Sequence, residues 1–266
     1  TITNTGAITQ SGTITVSGNA SFTAGANSIT LLSDTNDFGG TITLSNSGVG
    51  SNASVYDASN LSMAASTIGN DLTLIAEGTI TQTGALISSN DGTLTAKTLV
   101  DGGAVITLDN TSNAFGAINL QARNAADNAN AAGAITYRDT NGFNVTGIAT
   151  ASTVTLTAGG AITSTGALVG TTLTAKTLNN TPGAITFTNA SNDFDTVNLA
   201  VRNAADDANV NANIAYTDVD GFDVSSIGTL GNITLIAGGA ISDSGAISGA
   251  TLTTTSAGGT VLDFGH

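Results

Sequence analysis

The stretch Thr93-Leu94-Thr95-Ala96-Lys97-Thr98-Leu99 recurs without change at residues 172–178, a shift of 172 − 93 = 79 residues. Arg123-Asn124-Ala125-Ala126-Asp127 recurs at residues 202–206 with the same shift. A constant register over separate blocks indicates a repeat architecture, in which each structural unit stacks on the next.

Weaker copies of the unit extend the pattern along the 266 residues. Gly6-Ala7-Ile8-Thr9-Gln10 resembles Gly78-Thr79-Ile80-Thr81-Gln82, and a further start occurs at Gly239-Ala240-Ile241-Ser242. We therefore predict one continuous segment, residues 1–266. Its repeat copies are expected at about 1–77, 78–156 and 157–235, with a partial copy at 236–266.

Within each copy the hydrophobic period is two, as in Thr153-Val154-Thr155-Leu156-Thr157. Such alternation predicts β-strands with one buried face, and Gly, Asn, Ser and Asp clusters between the strands predict turns. The fold class is therefore predicted to be all-β, a right-handed parallel β-helix (β-solenoid). We expect about 20 residues per coil and about thirteen coils.

Residues that lie 79 positions apart should occupy equivalent places in the solenoid. Leu94 and Leu173 are predicted to be interior, as are Leu156 and Leu235, with the flanking threonines exposed. Aromatic residues that recur at matching positions are predicted to stack in the core: Phe38, Phe115, Phe194, Phe143 and Phe222.

The composition excludes several classes of function. The chain has 19 acidic and 5 basic residues and no cysteine, so disulfides and cysteine-ligated metals are excluded. Five dispersed cations do not make a phosphate-binding stripe, so we expect no nucleic-acid partner. No apolar run of about 18 residues is present, so we expect no membrane span.

Candidate metal ligands occur in Asp218-Val219-Asp220-Gly221-Phe222-Asp223. Asp218, Asp220 and Asp223 could offer oxygen ligands to calcium. A polar turn in which Asp side chains bond their own backbone explains the same residues. We favour the turn and expect no cofactor and no tightly bound calcium.

Candidate catalytic residues are few. The single histidine is His266, at the last position, so no histidine-dependent triad is expected. The pairs Asp193/Asp195 and Asp218/Asp220 could each project from one strand face, but the repeat is not interrupted around them. We therefore predict that the chain is not an enzyme and has no catalytic residues.

Two longer loops interrupt the pattern, at Ala122–Ala132 and Val201–Ala212. Their Ala, Asn and Asp content gives no apolar stripe, so we predict loops with at most one helical turn. Arg123 and Arg202 are expected to hold these loops through Asp127 and Asp206.

Several short sequence stretches resemble the repeats of filamentous-haemagglutinin-like adhesins, among them Asn70-Asp71-Leu72-Thr73-Leu74-Ile75-Ala76, Gly159-Gly160-Ala161-Ile162-Thr163 and Asn36-Asp37-Phe38-Gly39-Gly40. The resemblance covers nearly the whole chain. It implies a large β-helical bacterial protein exported to the cell surface or the extracellular space, with a stalk-like, adhesive or matrix role.

The leading functional hypothesis is thus a structural stalk or fibre-forming segment of an extracellular adhesin. One alternative is a module that binds glycan or host protein through the two loops. A minor alternative is an ice-binding solenoid, because Thr-x-Thr recurs along the chain, for example at Thr153 and Thr172. The repeat pattern runs close to both ends without a recognisable cap, so we expect head-to-tail contact with further repeats or other copies.

Overall fold

The computed structural model describes residues 1–181 and 183–264; Pro182 and His266 lie outside them. The described residues form strands and turns with no helix. Parallel strands stack as a β-solenoid of about 12 turns, with successive turns about 21 residues apart, so the predicted fold class is confirmed. The chain divides into two compact units, Thr1–Asp139 and Thr140–His266.

Strands of the first unit are short and separated by turns. They are β1 (Ile2–Thr3), β2 (Ile8–Thr9), β3 (Thr15–Val16), β4 (Ala20–Thr23), β5 (Ile29–Leu31), β6 (Asp37–Phe38), β7 (Thr41–Ser45), β8 (Ala53–Asp57), β9 (Leu61–Met63), β10 (Ser66–Ile68), β11 (Leu72–Ala76), β12 (Ile80–Gln82), β13 (Leu86–Ser88), β14 (Thr93–Leu99), β15 (Ile106–Leu108), β16 (Ala117–Arg123) and β17 (Ile135–Asp139).

Strands of the second unit follow the same plan. They are β18 (Phe143–Ala149), β19 (Thr153–Ala158), β20 (Ile162–Ser164), β21 (Leu168–Val169), β22 (Thr172–Leu178), β23 (Ile185–Phe187), β24 (Thr196–Arg202), β25 (Ile214–Asp218), β26 (Phe222–Gly228), β27 (Asn232–Ala237), β28 (Ile241–Asp243), β29 (Ile247–Ser248), β30 (Thr251–Ser256) and β31 (Thr260–Val261).

Each unit has two long parallel sheets. In the first unit one sheet has the order β1-β4-β7-β9-β12-β15-β17 and the other β2-β5-β8-β11-β14-β16, while β3 pairs with β6. In the second unit the orders are β19-β22-β24-β26-β28-β31 and β18-β20-β23-β25-β27-β30. Consecutive strands of one sheet are thus one turn apart in sequence, as a solenoid requires.

The alternating sequence places alternate side chains inside the coil. In β14 and in β22 every second residue is buried. The four leucines predicted to be interior, Leu94, Leu156, Leu173 and Leu235, are fully buried, which confirms the inward face. The five recurrent phenylalanines are likewise buried.

Of the threonines beside these leucines, Thr234 is exposed as predicted, but most of the others differ from expectation. Thr93, Thr95, Thr172 and Thr174 are half-buried rather than exposed. Strands in a sheet lie only about 4.8 Å apart, so the outward side chains of neighbouring turns cover one another's flanks.

Buried asparagines connect one turn to the next. The Asn113 amide donates to the Leu108 carbonyl at 3.1 Å and accepts from the Leu86 N–H at 2.9 Å. Asn36 and Asn192 make the same pair of contacts in their own turns. A buried amide with both ends bonded satisfies the backbone where the strand ladder is interrupted.

Glycine is required where two turns come close together. A Cβ on Gly245 would lie 1.7 Å from the Ser225 carbonyl oxygen, so no larger residue fits there. None of the described residues forms a helix long and apolar enough to cross a membrane.

Candidate functional site

The second loop lies at residues 203–209, between β24 and the strand that follows it. Arg202 organises the loop: its Nε donates to Asp206 Oδ1 at 3.1 Å, its Nη2 to the Asp206 carbonyl at 2.8 Å and its Nη1 to Asn209 Oδ1 at 2.8 Å. Asp206 adopts φ +57°, a left-handed conformation that Asp tolerates better than most residues. The predicted Arg202–Asp206 contact is confirmed, and the loop contains no helical turn.

An equivalent loop lies at residues 124–130 of the first unit. Arg123 Nε donates to Asp127 Oδ1 at 3.1 Å, and Asp127 has φ +53°. Ala122 and Arg123 belong to β16, so the loop is shorter than the predicted Ala122–Ala132. Val201 and Arg202 belong to β24 in the same way.

A lysine from the preceding turn completes each loop. Lys97 Nζ lies 2.6 Å from Asp127 Oδ2, and Lys176 Nζ lies 2.7 Å from Asp206 Oδ2. These lysines, followed by the arginines, hold the pKa of Asp127 and Asp206 below the usual carboxyl value. Sequence reasoning missed the lysines, although both belong to the invariant repeated stretch. Four of the five cations are therefore grouped in two clusters, not dispersed as predicted.

A polar groove of about 530 Å³ opens beside the loop of the second unit. Its floor is the outward face of β22, β24 and β26, and its wall includes Asp206 and Asn209. Among the residues that line it are Thr174, Lys176, Asn198, Ala200, Arg202 and Ser226. The groove offers amide, hydroxyl and ammonium groups.

The candidate calcium ligands do not come together as a set. Asp218 ends β25 in one sheet and Asp223 lies in β26 of the other. Asp223 accepts hydrogen bonds from Ser242 Oγ at 3.2 Å and Ser244 Oγ at 2.5 Å. Asp218 and Asp220 instead meet Asp193, with one carboxylate oxygen of each within 4.8 Å of the others.

Asp218 accepts three hydrogen bonds from other groups of the protein. Its Oδ2 accepts from the Phe194 N–H at 3.1 Å and from the Tyr216 hydroxyl, and its Oδ1 accepts from the Asp220 N–H at 3.1 Å. Burial raises the pKa of Asp218 to about 6. These contacts are those of a structural turn, which is the interpretation favoured from the sequence. Asp195, the other acid considered for catalysis, is exposed and lies outside this cluster.

A buried tyrosine–aspartate pair recurs across the copies. Tyr137 donates to Asp139 Oδ2 at 2.6 Å, as Tyr216 does to Asp218. In the first copy Asp57 holds the equivalent place, but Val55 stands where the tyrosine would be. Asp57 Oδ2 is buried without a hydrogen-bond partner among the described residues.

Hydroxyl side chains form columns on the outer faces. In the first unit one column, paired turn by turn, runs through Thr9, Thr30, Ser54, Thr73, Thr95 and Asn119. Two adjacent threonine columns, which the ice-binding hypothesis needs, occur on β19 and β22. On β24 the second column continues as Asn198.

Comparison with known proteins gives one match. A family model described as repeats of unknown function (DUF5649) matches residues 1–45, 50–121 and 132–200, more than half of the chain. Neither a search of curated proteins nor a search of solved structures gave a match. The interruption between residues 121 and 132 coincides with the first loop, so that loop lies outside the part that matches.

Proposed function

This chain belongs to the DUF5649 family of repeats, and we propose that it serves as a structural spacer. In this proposal it is a stalk or fibre-forming segment of a large extracellular bacterial adhesin or matrix protein. The resemblance to haemagglutinin-like repeats supports the extracellular assignment, and the stacking of turns supports the mechanical one.

The observation that carries the proposal is the burial of inward side chains between successive turns. In both units the inward side chains of one turn are buried against the same positions of the next, as in the column Leu72, Leu94 and Ile118. Such a structure gains length by adding turns, without redesign of the core. Length is the property that a spacer needs.

Duplication of one copy tests this function. A variant with residues 157–235 repeated in frame should fold with undiminished thermal stability. Its maximum dimension in small-angle X-ray scattering should grow by about 17 Å, because the copy spans about three and a half turns and each turn adds about 4.8 Å. As a control, repeating only residues 157–225 breaks the register and should lower the melting temperature. An in-frame duplication that unfolds would contradict the spacer.

Head-to-tail contact is part of the proposal. Strands at the edge of a parallel stack carry unpaired backbone groups that recruit further strands. Light scattering and electron microscopy should show concentration-dependent axial association of the 266-residue chain. A monomer at all concentrations would contradict association between separate copies.

A second candidate function is ligand binding through the two loops. The specific observation in its favour is the groove beside residues 203–209, with a wall held by Arg202 and Lys176. A rigid wall is preorganised for binding, since little entropy is lost when a ligand arrives.

A further inference from the structure

The two loop sites differ at the sheet position beside the lysine. In register, Lys97 pairs with Gln121 in the first unit, and Lys176 pairs with Ala200 in the second. Gln121 Nε2 donates to Asn119 Oδ1 at 2.8 Å, so its side chain lies along the sheet. Ala200 leaves that space open, and the corresponding Asn198 faces the groove.

Hydrogen-bonding capacity remains on the cations of the groove. Arg202 uses three of its N–H donors on the loop, and a guanidinium has five. The Lys176 ammonium uses one donor on Asp206 and has capacity for two more. Both side chains keep part of their surface exposed, 34% for Lys176 and 26% for Arg202.

Charge is distributed unevenly over residues 140–266. This part of the sequence has nine aspartates and only two cations, Lys176 and Arg202. Both cations line the groove together with Asp206, so these three side chains leave one net positive charge there. A negatively charged ligand would be repelled by most of this surface and attracted here, so charge directs it to one place. The remaining groups, such as Asn198, Thr174 and Ser226, are amides and hydroxyls that match the hydroxyls of a sugar.

We infer that the groove binds a short saccharide segment that bears carboxylates. Lys176 receives the carboxylate, and Asn198, Thr174 and Ser226 bond the sugar hydroxyls. This inference rests on the second candidate function, binding at the loops, and is independent of the spacer.

The test is a calorimetric titration of the whole chain with tetragalacturonate, at low ionic strength. Wild type should bind one equivalent. Ala200→Gln, which introduces the residue that the first unit carries at this place, should weaken binding at least tenfold. The matched control Thr155→Gln adds the same side chain to the same face on β19, outside the groove, and should bind within twofold of wild type.

Two further probes identify the ligand class. The uncharged tetragalactose should bind at least tenfold more weakly than tetragalacturonate; equal binding would overturn the role of Lys176 but leave binding at the loop. Tetraglutamate that binds as tightly as the saccharide would overturn the saccharide assignment. No binding by wild type, or binding unchanged in Ala200→Gln, would overturn the site itself, while the duplication experiment would still decide on the spacer.

A second readout does not depend on the variant folding. In nuclear magnetic resonance spectra of wild type, tetragalacturonate should shift the amide signals of Thr174, Asn198 and Ser226 and leave those of Thr73 and Thr95 unchanged. Shifts confined to other residues would contradict the proposed groove.

Discussion

At the scale of single residues, two buried side-chain atoms have no hydrogen-bond partner among the described residues, Asp57 Oδ2 and Ser164 Oγ. Both lie where one copy departs from the others. Val55 replaces the tyrosine that bonds this aspartate elsewhere. Ser164 stands where Gln10 and Gln82 bond the buried asparagines of their own copies. The side-chain network is therefore a property of the repeat, and a single substitution leaves one buried polar atom unsatisfied.

The first prediction concerns the Tyr216 hydroxyl. Tyr216→Phe should lower the free energy of unfolding by about 1–3 kcal/mol, because Asp218 Oδ2 loses a buried donor. Tyr56→Phe is the control, since the Tyr56 hydroxyl bonds the exposed Glu77 at 2.8 Å; its loss should be below about 1 kcal/mol. Urea denaturation measures both. Equal losses would mean that burial of the pair has no energetic effect.

The second prediction concerns pH. Burial raises the pKa of Asp218 from 3.8 to about 6, so the folded state holds the proton more tightly than the unfolded state. The resulting stabilisation is complete below pH 3.8 and is lost as the pH rises through 6. Asp218→Asn removes the charge, and its amide oxygen can still accept the two hydrogen bonds made to Asp218 Oδ2, whereas its amide nitrogen cannot accept the third. Between pH 5 and 7.5 the melting temperature of wild type should therefore fall relative to that of the variant.

The control for pH is Asp195→Asn, which removes an exposed carboxylate that lies outside the cluster. Its pH profile should run parallel to that of wild type. A wild-type profile parallel to that of Asp218→Asn would show that Asp218 titrates normally in the folded protein.

At the scale of elements, the period-2 pattern and the 79-residue register were enough to predict parallel stacked strands and the inward leucines. Arg123 and Arg202 could be matched to their aspartates because the partners are four residues apart. The lysines could not, because each reaches an aspartate 30 residues away, across a turn whose strand register the sequence does not show. Asp223 was grouped with Asp218 as a candidate ligand, but the chain passes from one sheet to the other between them.

The third prediction tests the inward face of β22. Leu173→Asp should lower the free energy of unfolding by at least about 4 kcal/mol, since a charge in the coil core has no partner. Thr174→Asp, one residue along and half-buried on the outward face, should cost far less. Thermal melting of the two variants compares them, and a neutral Leu173→Asp would mean that the faces are reversed.

The fourth prediction tests what holds the loop. Asp206→Asn keeps a residue that tolerates the left-handed backbone but removes both ion pairs. Amide hydrogen exchange at residues 203–209 should become faster, while the melting temperature should change little, because exposed ion pairs contribute little to global stability. Asp206→Ala adds backbone strain and should lower the melting temperature further. Unchanged exchange in Asp206→Asn would assign the rigidity of the loop to its backbone bonds alone.

At the scale of the whole molecule, the formal net charge of −14 is carried almost entirely by aspartates. Mutual repulsion of so many like charges opposes the compact state, and salt screens it. The chemistry of the Asp193, Asp218 and Asp220 cluster has to be separated from this general effect.

The fifth prediction is a calcium titration at constant ionic strength. A few millimolar calcium should raise the melting temperature no more than sodium chloride of equal ionic strength. A folded protein that binds an ion at a site is stabilised increasingly as the ion concentration rises above its Kd, whereas screening depends on ionic strength alone. A rise specific to calcium and absent in Asp220→Ala would show a cation site.

The separation of about 21 residues between successive turns also bears on how the chain reaches this structure. A contact that spans about 21 of 266 residues gives a relative contact order of about 0.08, a value typical of small helical proteins rather than of β-sandwiches. Closing so short a segment costs little chain entropy. Folding can therefore begin at any turn and advance to its neighbours, so that early turns are able to form while later ones are still being synthesised.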